Sequence, residues 1–214
     1  MRALVLEHPA PLATGAPLRH RDVPEPKPGA GDLLLRVGAC AVCRTDLQLV
    51  EGDLAAHRLP TIPGHQVVGR VEALGAGVTG WSVGERAAVG WLAGTCGDCR
   101  ACRDGRENLC STARFTAWDR DGGFAERIVV AADVALRVPD LFTDVAAAPL
   151  LCGGVIGYRS LLVSGIRPGG RLGLYGFGAS AQLPQIFREC GLRWIAALSY
   201  KIPSRSYWKG LDGT

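Results

Sequence analysis

Four cysteines crowd one short segment as Cys96-x2-Cys99-x2-Cys102-x7-Cys110, and this spacing constrains the fold more than any other feature of the chain. Two-residue gaps let successive thiolates turn toward one centre from a tight loop. Four sulfurs complete a tetrahedral zinc shell at Zn–S distances of about 2.3 Å. Such a shell has no open position, so the metal it predicts is structural. Gly97, Arg103 and Gly105 suit a loop held by metal and not by a core. Disulfides, an iron–sulfur cluster and unliganded thiols are the competing readings. The seven-residue gap and the lack of a proline after Cys110 count against the iron–sulfur cluster.

The setting favours metal. The opening Met-Arg-Ala-Leu-Val-Leu-Glu-His-Pro has no apolar run of signal-peptide length. No window approaches the ~20 apolar residues of a membrane helix. These features predict a cytoplasmic, reducing location, where clustered cysteines are better read as ligands than as disulfides. A net charge of +4, from 24 basic and 20 acidic residues without a basic stripe, argues against nucleic acid and membrane surfaces as partners. With 48% hydrophobic residues the chain can build a core.

The first ~140 residues read as short strands broken by Gly and Pro, with candidates at Asp32–Val37, Val67–Leu74, Arg86–Leu92 and Phe124–Val138. Strands so spaced, without helices between them, predict a small β-barrel or sandwich. Near residue 143 the pattern changes. Thr143 or Asp144 can cap a helix over Ala146–Leu162. The strand Arg171–Tyr175 then runs into a glycine-rich loop, which is the opening of a βαβ unit. The expected fold is mixed α/β, with a β-domain over 1–142 and part of a dinucleotide-binding domain over 143–214.

Cys43, His65 and Cys152 are far apart in sequence, and spacing alone does not make them a site: a lone Cys is often a small buried hydrophobe. Several motifs occur in order, however: GACAVCRTD around Cys43, PGHQVVGRVEALG around His65, the four-cysteine loop, LLCGGVIGY around Cys152 and GLYGFG from Gly173. Together, over about residues 1–182, they resemble the zinc-dependent alcohol dehydrogenases of the medium-chain family. That likeness implies a GroES-like β-barrel followed by a Rossmann-type domain.

The resemblance also implies roles. Cys43, His65 and Cys152 become ligands of a catalytic zinc with its fourth position open to a substrate oxygen. Thr45 matches the hydroxyl that takes up the alcohol proton. Asp46 matches the carboxylate that orients the ligand histidine. Arg44 matches a pyrophosphate-binding position, its bland alternative being a solvated surface arginine. Trp91 matches an aromatic wall of the substrate pocket, although a core tryptophan fits nearly as well. Two departures stand out: Gln48 occupies the place of a relay histidine, with His57 a speculative substitute, and Gln66 replaces a glutamate. The implied cofactors are one structural zinc, one catalytic zinc and NAD or NADP, and the implied substrate is a small-molecule alcohol or aldehyde. Members of the family form homo-oligomers.

In the glycine loop, Gly176 permits the tight turn, Gly178 the approach of pyrophosphate, and Ala181 the helix packing. No acidic residue follows about 20 positions later to hold the NAD ribose; Lys201 and Arg205 are a faint argument for NADP. After about Leu183 the family pattern ends, and the tail contains no valine, as a truncation or frameshift within the Rossmann domain would produce. The sequence therefore carries two readings: an NAD(P)-linked zinc alcohol dehydrogenase, or a non-catalytic zinc-binding remnant of one. Retention of Cys43, His65 and Cys152 argues against a quinone-reductase-like relative without catalytic zinc.

Overall fold

The computed structural model describes residues 1–167, 169–175 and 193–198. It divides into two compact units, Met1–Cys152 and Gly153–Thr214.

The first unit begins with strands β1 (Arg2–Leu6), β2 (Leu18–Asp22) and β3 (Asp32–Ala41), followed by helix α1 (Arg44–Glu51). Strands β4 (Gln66–Leu74), β5 (Arg86–Val89) and β6 (Leu92–Gly94) come next. The cysteine loop holds a single-turn helix, α2 (Arg100–Arg103), and leads to β7 (Arg114–Phe115), β8 (Arg127–Ala131) and β9 (Leu136–Arg137). The unit closes with α3 (Asp144–Ala147) and a 3-10 turn over Ala148–Leu151.

Among the described residues the largest sheet is antiparallel and runs β8-β3-β4-β5-β9. Its apolar residues alternate, as a strand with two packed faces requires. Leu33, Leu35, Val67, Val71, Ala87, Val89, Ile128 and Val130 form one core. At roughly 1.5–3 kcal/mol for each fully buried Val or Leu, this cluster stabilises the unit most. Val68 and Ala88 point the other way and pack on Ala147 and Ala148. β1 pairs with β2 on one side and on its other side bonds to Phe124 and Thr61. That stitching closes the strands toward a barrel.

The expected strands are found, with adjusted ends. β3 extends to Ala41. The stretch 86–92 is interrupted at Gly90 and Trp91, and 124–138 divides into β8 and β9. The helix expected over Ala146–Leu162 is not continuous. Thr143 caps α3 through its hydroxyl, but Pro149, at the start of the 3-10 turn, cannot donate into a helical ladder. The backbone leaves helical geometry at Cys152, with φ −130 and ψ −72. The break sets this cysteine apart from the helices on either side.

In the second unit, helix α4 (Gly153–Ser164) precedes β10 (Arg171–Tyr175) and β11 (Arg193–Leu198), which pair in parallel. Parallel neighbours require a crossover connection, as the sequence pattern anticipates for the start of an α/β sheet. Gly176, Gly178 and Ala181 lie outside the described residues. Among the described residues no single helix is long and apolar enough to cross a membrane.

Candidate metal centres and active site

Helix α1 has no counterpart among the elements expected from sequence, and it organises the site. Cys43 is its N-cap, in extended conformation, and its sulfur accepts from the Thr45 N–H at 3.3 Å. Asp46, three residues on, accepts from the Cys43 N–H at 2.9 Å. This is a capping box built with a thiol. Leu49 and Val50 bury the helix against Leu6, which turns Asp46 inward.

Asp46 is 2% exposed and His65 1%. The carboxylate of Asp46 gathers three groups: the Cys43 N–H, the Gly64 N–H at 3.2 Å and His65 Nδ1 at 2.9 Å. An ionised carboxylate only accepts, so the proton lies on Nδ1 and Nε2 faces the cysteines. Gly64 is required immediately beside it. Its φ is +97, and a Cβ would stand 2.6 Å from Phe124 and 2.8 Å from the Cys40 sulfur.

Cys152 arrives from the break after the 3-10 turn. Its sulfur lies 3.9 Å from that of Cys43, which is 3.4 Å from His65 Nε2. All three ligand atoms lie within 4.8 Å of one another. A tetrahedron with bonds of about 2.0–2.3 Å has edges of about 3.3–3.8 Å, so one ion fits this triangle with a fourth vertex left over. Two thiolates and an imidazole are a donor set suited to zinc.

With no ion between them, the three groups shift one another's protonation. A hydrogen bond from the Cys152 thiol, helped by His65 and the Thr45 N–H, outweighs burial and pulls the Cys43 thiol down to about 3. The same bond, burial and the Cys43 charge push the Cys152 thiol upward. Burial works against a charged His65, yet its bonds to Asp46 and Cys43 prevail and raise it to about 9. Cys40 is different: burial pushes its thiol up to about 12, and it packs beside Gly64 and Gly123.

The other predicted residues fall at varied distances from this triangle. Thr45 follows Cys43 directly at the start of α1. The rings of Trp91 and His65 are nearly perpendicular, with centroids 5.1 Å apart, and Trp91 also stacks on Phe115 and Trp118. Local pattern does not anticipate these aromatic neighbours, because β6 and the cysteine loop separate them from Trp91 in sequence. Arg44 is exposed and reaches Glu51 and Asp53 at 3.9 and 3.8 Å. Gln66 is buried, and its Nε2 donates to the Ala41 carbonyl at 3.2 Å, which ties β4 to the end of β3. His57 stacks on Trp118 at 3.7 Å and bonds Asp119.

The four-cysteine loop forms a second cluster. Sulfur separations are 3.5 Å for Cys99–Cys102, 3.6 Å for Cys110–Cys96 and 3.9 Å for Cys96–Cys102. A disulfide needs about 2.05 Å, and all four are free cysteines. The spacing instead matches the edge of a tetrahedral S₄ shell, about 3.8 Å. An iron–sulfur cluster would hold its ligands further apart.

Residues 29–140, just over half of the chain, match the family described as the alcohol dehydrogenase GroES-like domain. The chain belongs to the zinc-dependent medium-chain alcohol dehydrogenases. The chain is 50% identical over 188 residues to the Mycobacterium tuberculosis protein named "Probable alcohol dehydrogenase AdhA", covering 86% of this chain and 54% of that one. Among solved structures it resembles the cobalt and zinc bound thermostable alcohol dehydrogenase from Pyrobaculum aerophilum, at a TM-score of 0.82 and 29% identity over 91% of this chain and 58% of the other. The acetophenone reductase from Geotrichum candidum in complex with NAD superposes at 0.77 with 26% identity, covering 90% and 56%. The chain spans about half the length of the curated relatives it matches.

Proposed function

We propose that this chain carries the zinc-binding catalytic domain of an NAD(P)-linked alcohol dehydrogenase, interconverting a small-molecule alcohol with its aldehyde or ketone. The observation that carries the reading is the convergence of Cys43, His65 and Cys152 on one centre with a fourth position left over. In this reading residues 1–142 form the catalytic domain and 143–214 begin the cofactor domain. A zinc ion bound by the trio supplies Lewis-acid polarisation of the substrate oxygen.

The chain's own residues do the rest. Asp46 fixes the His65 tautomer and ring orientation, and strengthens Nε2 as a donor atom. The Thr45 N–H holds the Cys43 sulfur in place, while the Thr45 hydroxyl relays the alcohol proton, taking it up as its own proton passes to solvent water. Trp91, packed perpendicular to the His65 ring, forms one wall of the substrate pocket. Arg44 binds the cofactor phosphates, its guanidinium exchanging Glu51 and Asp53 for phosphate oxygens; in the glycine loop Gly176 makes the tight turn, Gly178 admits the pyrophosphate and Ala181 packs the helix. Cys96, Cys99, Cys102 and Cys110 hold a structural zinc. The zinc of the Pyrobaculum enzyme and the NAD of the Geotrichum enzyme support both cofactor assignments.

Metal and cofactor stoichiometry test the proposal. Two zincs per chain and quenched tryptophan fluorescence on adding NADH or NADPH are the expected result. One zinc per chain would remove the catalytic centre. Two zincs without nicotinamide binding would leave the non-catalytic zinc-binding reading.

A further inference from the structure

We infer that Arg86 is a positioning residue for the Cys152 ligand, acting through the segment 139–151; the inference rests on the trio being a metal site. Arg86 opens β5 and is 12% exposed at its side chain. Its guanidinium donates to the Asp144 carboxylate from Nε at 3.1 Å and from Nη2 at 2.7 Å. It also donates to the Phe142 carbonyl at 2.8 Å and the Pro139 carbonyl at 3.2 Å. One side chain therefore grips the approach to α3 and its first residue.

Strand β5, continued by Gly90, acts as a ruler along the segment from Asp144 to Leu151. Arg86 holds Asp144 at the start, Ala88 packs with Ala147 and Ala148 midway, and Gly90 meets the end. A Cβ on Gly90 would stand 2.9 Å from the Leu151 carbonyl oxygen, so the backbones nearly touch. Four extended residues advance roughly 13 Å, and three α-helical plus four 3-10 steps roughly 12.5 Å, so the two segments stay in step. Cys152 is the next residue, placed 3.9 Å from Cys43.

The midpoint and end contacts do not by themselves fix the phase. Apolar packing of Val68 and Ala88 on Ala147, Ala148 and Leu151 is non-directional, whereas bonds from a planar guanidinium to three acceptors are directional. Gly38 completes the clamp: a Cβ there would stand 3.2 Å from the Asp144 Cγ, so β3 leaves room for the carboxylate. Without Arg86 the segment can shift along β5, and the Cys152 sulfur moves out of ligand distance.

The experiment is zinc and cobalt(II) titration of the whole chain carrying Arg86→Gln, alone and combined with Cys152→Ser. Loss of a residue that orients a ligand weakens metal binding about 10–100-fold. Arg86→Gln is expected to weaken the Cys43/His65 centre at least ~10-fold by that standard. It should also remove about half of that centre's thiolate-to-cobalt charge-transfer absorbance, because one of two sulfurs is lost. The four-cysteine centre should be unaffected. In the Cys152→Ser background the same change should have no further effect, since the group it positions is gone. An equal loss in both backgrounds, or an unchanged affinity and spectrum, would overturn the inference. Should Arg86→Gln not fold, Asp144→Asn keeps the bonds to the two carbonyls and is judged on the same readouts. A wild-type chain lacking the second metal would refute the site itself, which is a separate outcome.

Discussion

His65 donates from Nδ1 to Oδ1 of Asp46 across 2.9 Å, and both side chains are sealed from solvent. Asp46 is thus an orienting group for one ligand and a cap for the helix that presents another. Asp46→Asn keeps an acceptor but loses the charge, and should weaken metal at the Cys43/His65/Cys152 centre about 10–100-fold. Asp46→Ala also strands the N–H groups of Cys43 and Gly64 and leaves His65 unpaired. Removing one partner of a buried pair costs about 3–5 kcal/mol. Competition with a chromophoric chelator measures the first effect and urea unfolding the second. Unchanged affinity in Asp46→Asn would show that His65 needs no orienting carboxylate.

The same centre should bind metal more tightly as pH rises. Without metal, His65 keeps its extra proton up to about 9 and the Cys152 thiol is held protonated. Cys43, pulled down to about 3, is already a thiolate at neutral pH. Binding an ion must expel the protons of His65 and Cys152, so affinity increases with pH below those values. Between pH 6 and 8 the gain should approach about two decades per pH unit, corresponding to release of about two protons. Calorimetry in buffers of different ionisation enthalpy counts them. A pH-independent affinity would contradict this ordering.

Gly64 carries a prediction that concerns packing alone. A side chain at its φ of +97 is strained, and the space for a Cβ is already taken by Phe124 and the Cys40 sulfur. Overpacking typically costs 1–3 kcal/mol, and a left-handed backbone adds about 1–2 kcal/mol. Gly64→Ala should therefore lose roughly 2–5 kcal/mol on those two grounds, read by urea unfolding of the zinc-loaded chain. Because its N–H bonds to Asp46, metal affinity at the trio should fall as well.

The two cysteine sets differ in how far they can be read from sequence, and the reason is contact range. The loop ligands sit three and eight positions apart, so local spacing reveals them. Cys43 meets His65 from 22 positions away and Cys152 from 109; only the ordered family motifs connect them. Helix α1 is hard to see in the sequence because it is short and its inward face includes Asp46, which no apolar periodicity records. The break at Cys152 is legible in Pro149, yet the apolar run over 146–162 outweighs it. Gln66 shows a different limit: its bond to Ala41 joins two strands and leaves no mark in local pattern.

The four-cysteine loop should owe its order to metal, and that can be tested separately from catalysis. Between Cys96 and Cys110 the only buried residues are Cys102 and Cys110, and Leu109 is 60% exposed. A segment with no apolar core cannot offset its own ordering entropy. The sheet core of Leu33, Leu35, Val67 and Val71 lies outside the loop and does not depend on it. Stripping zinc with a chelator should therefore open the loop while the sheet persists. Arg100, Arg103 and Arg106 are exposed there, so trypsin should cut the metal-free chain within 100–107 many times faster than the loaded chain. Far-ultraviolet circular dichroism should change little, and re-adding zinc before cleavage should restore protection. Equal cleavage rates with and without metal would show that contacts outside the cysteines hold the loop.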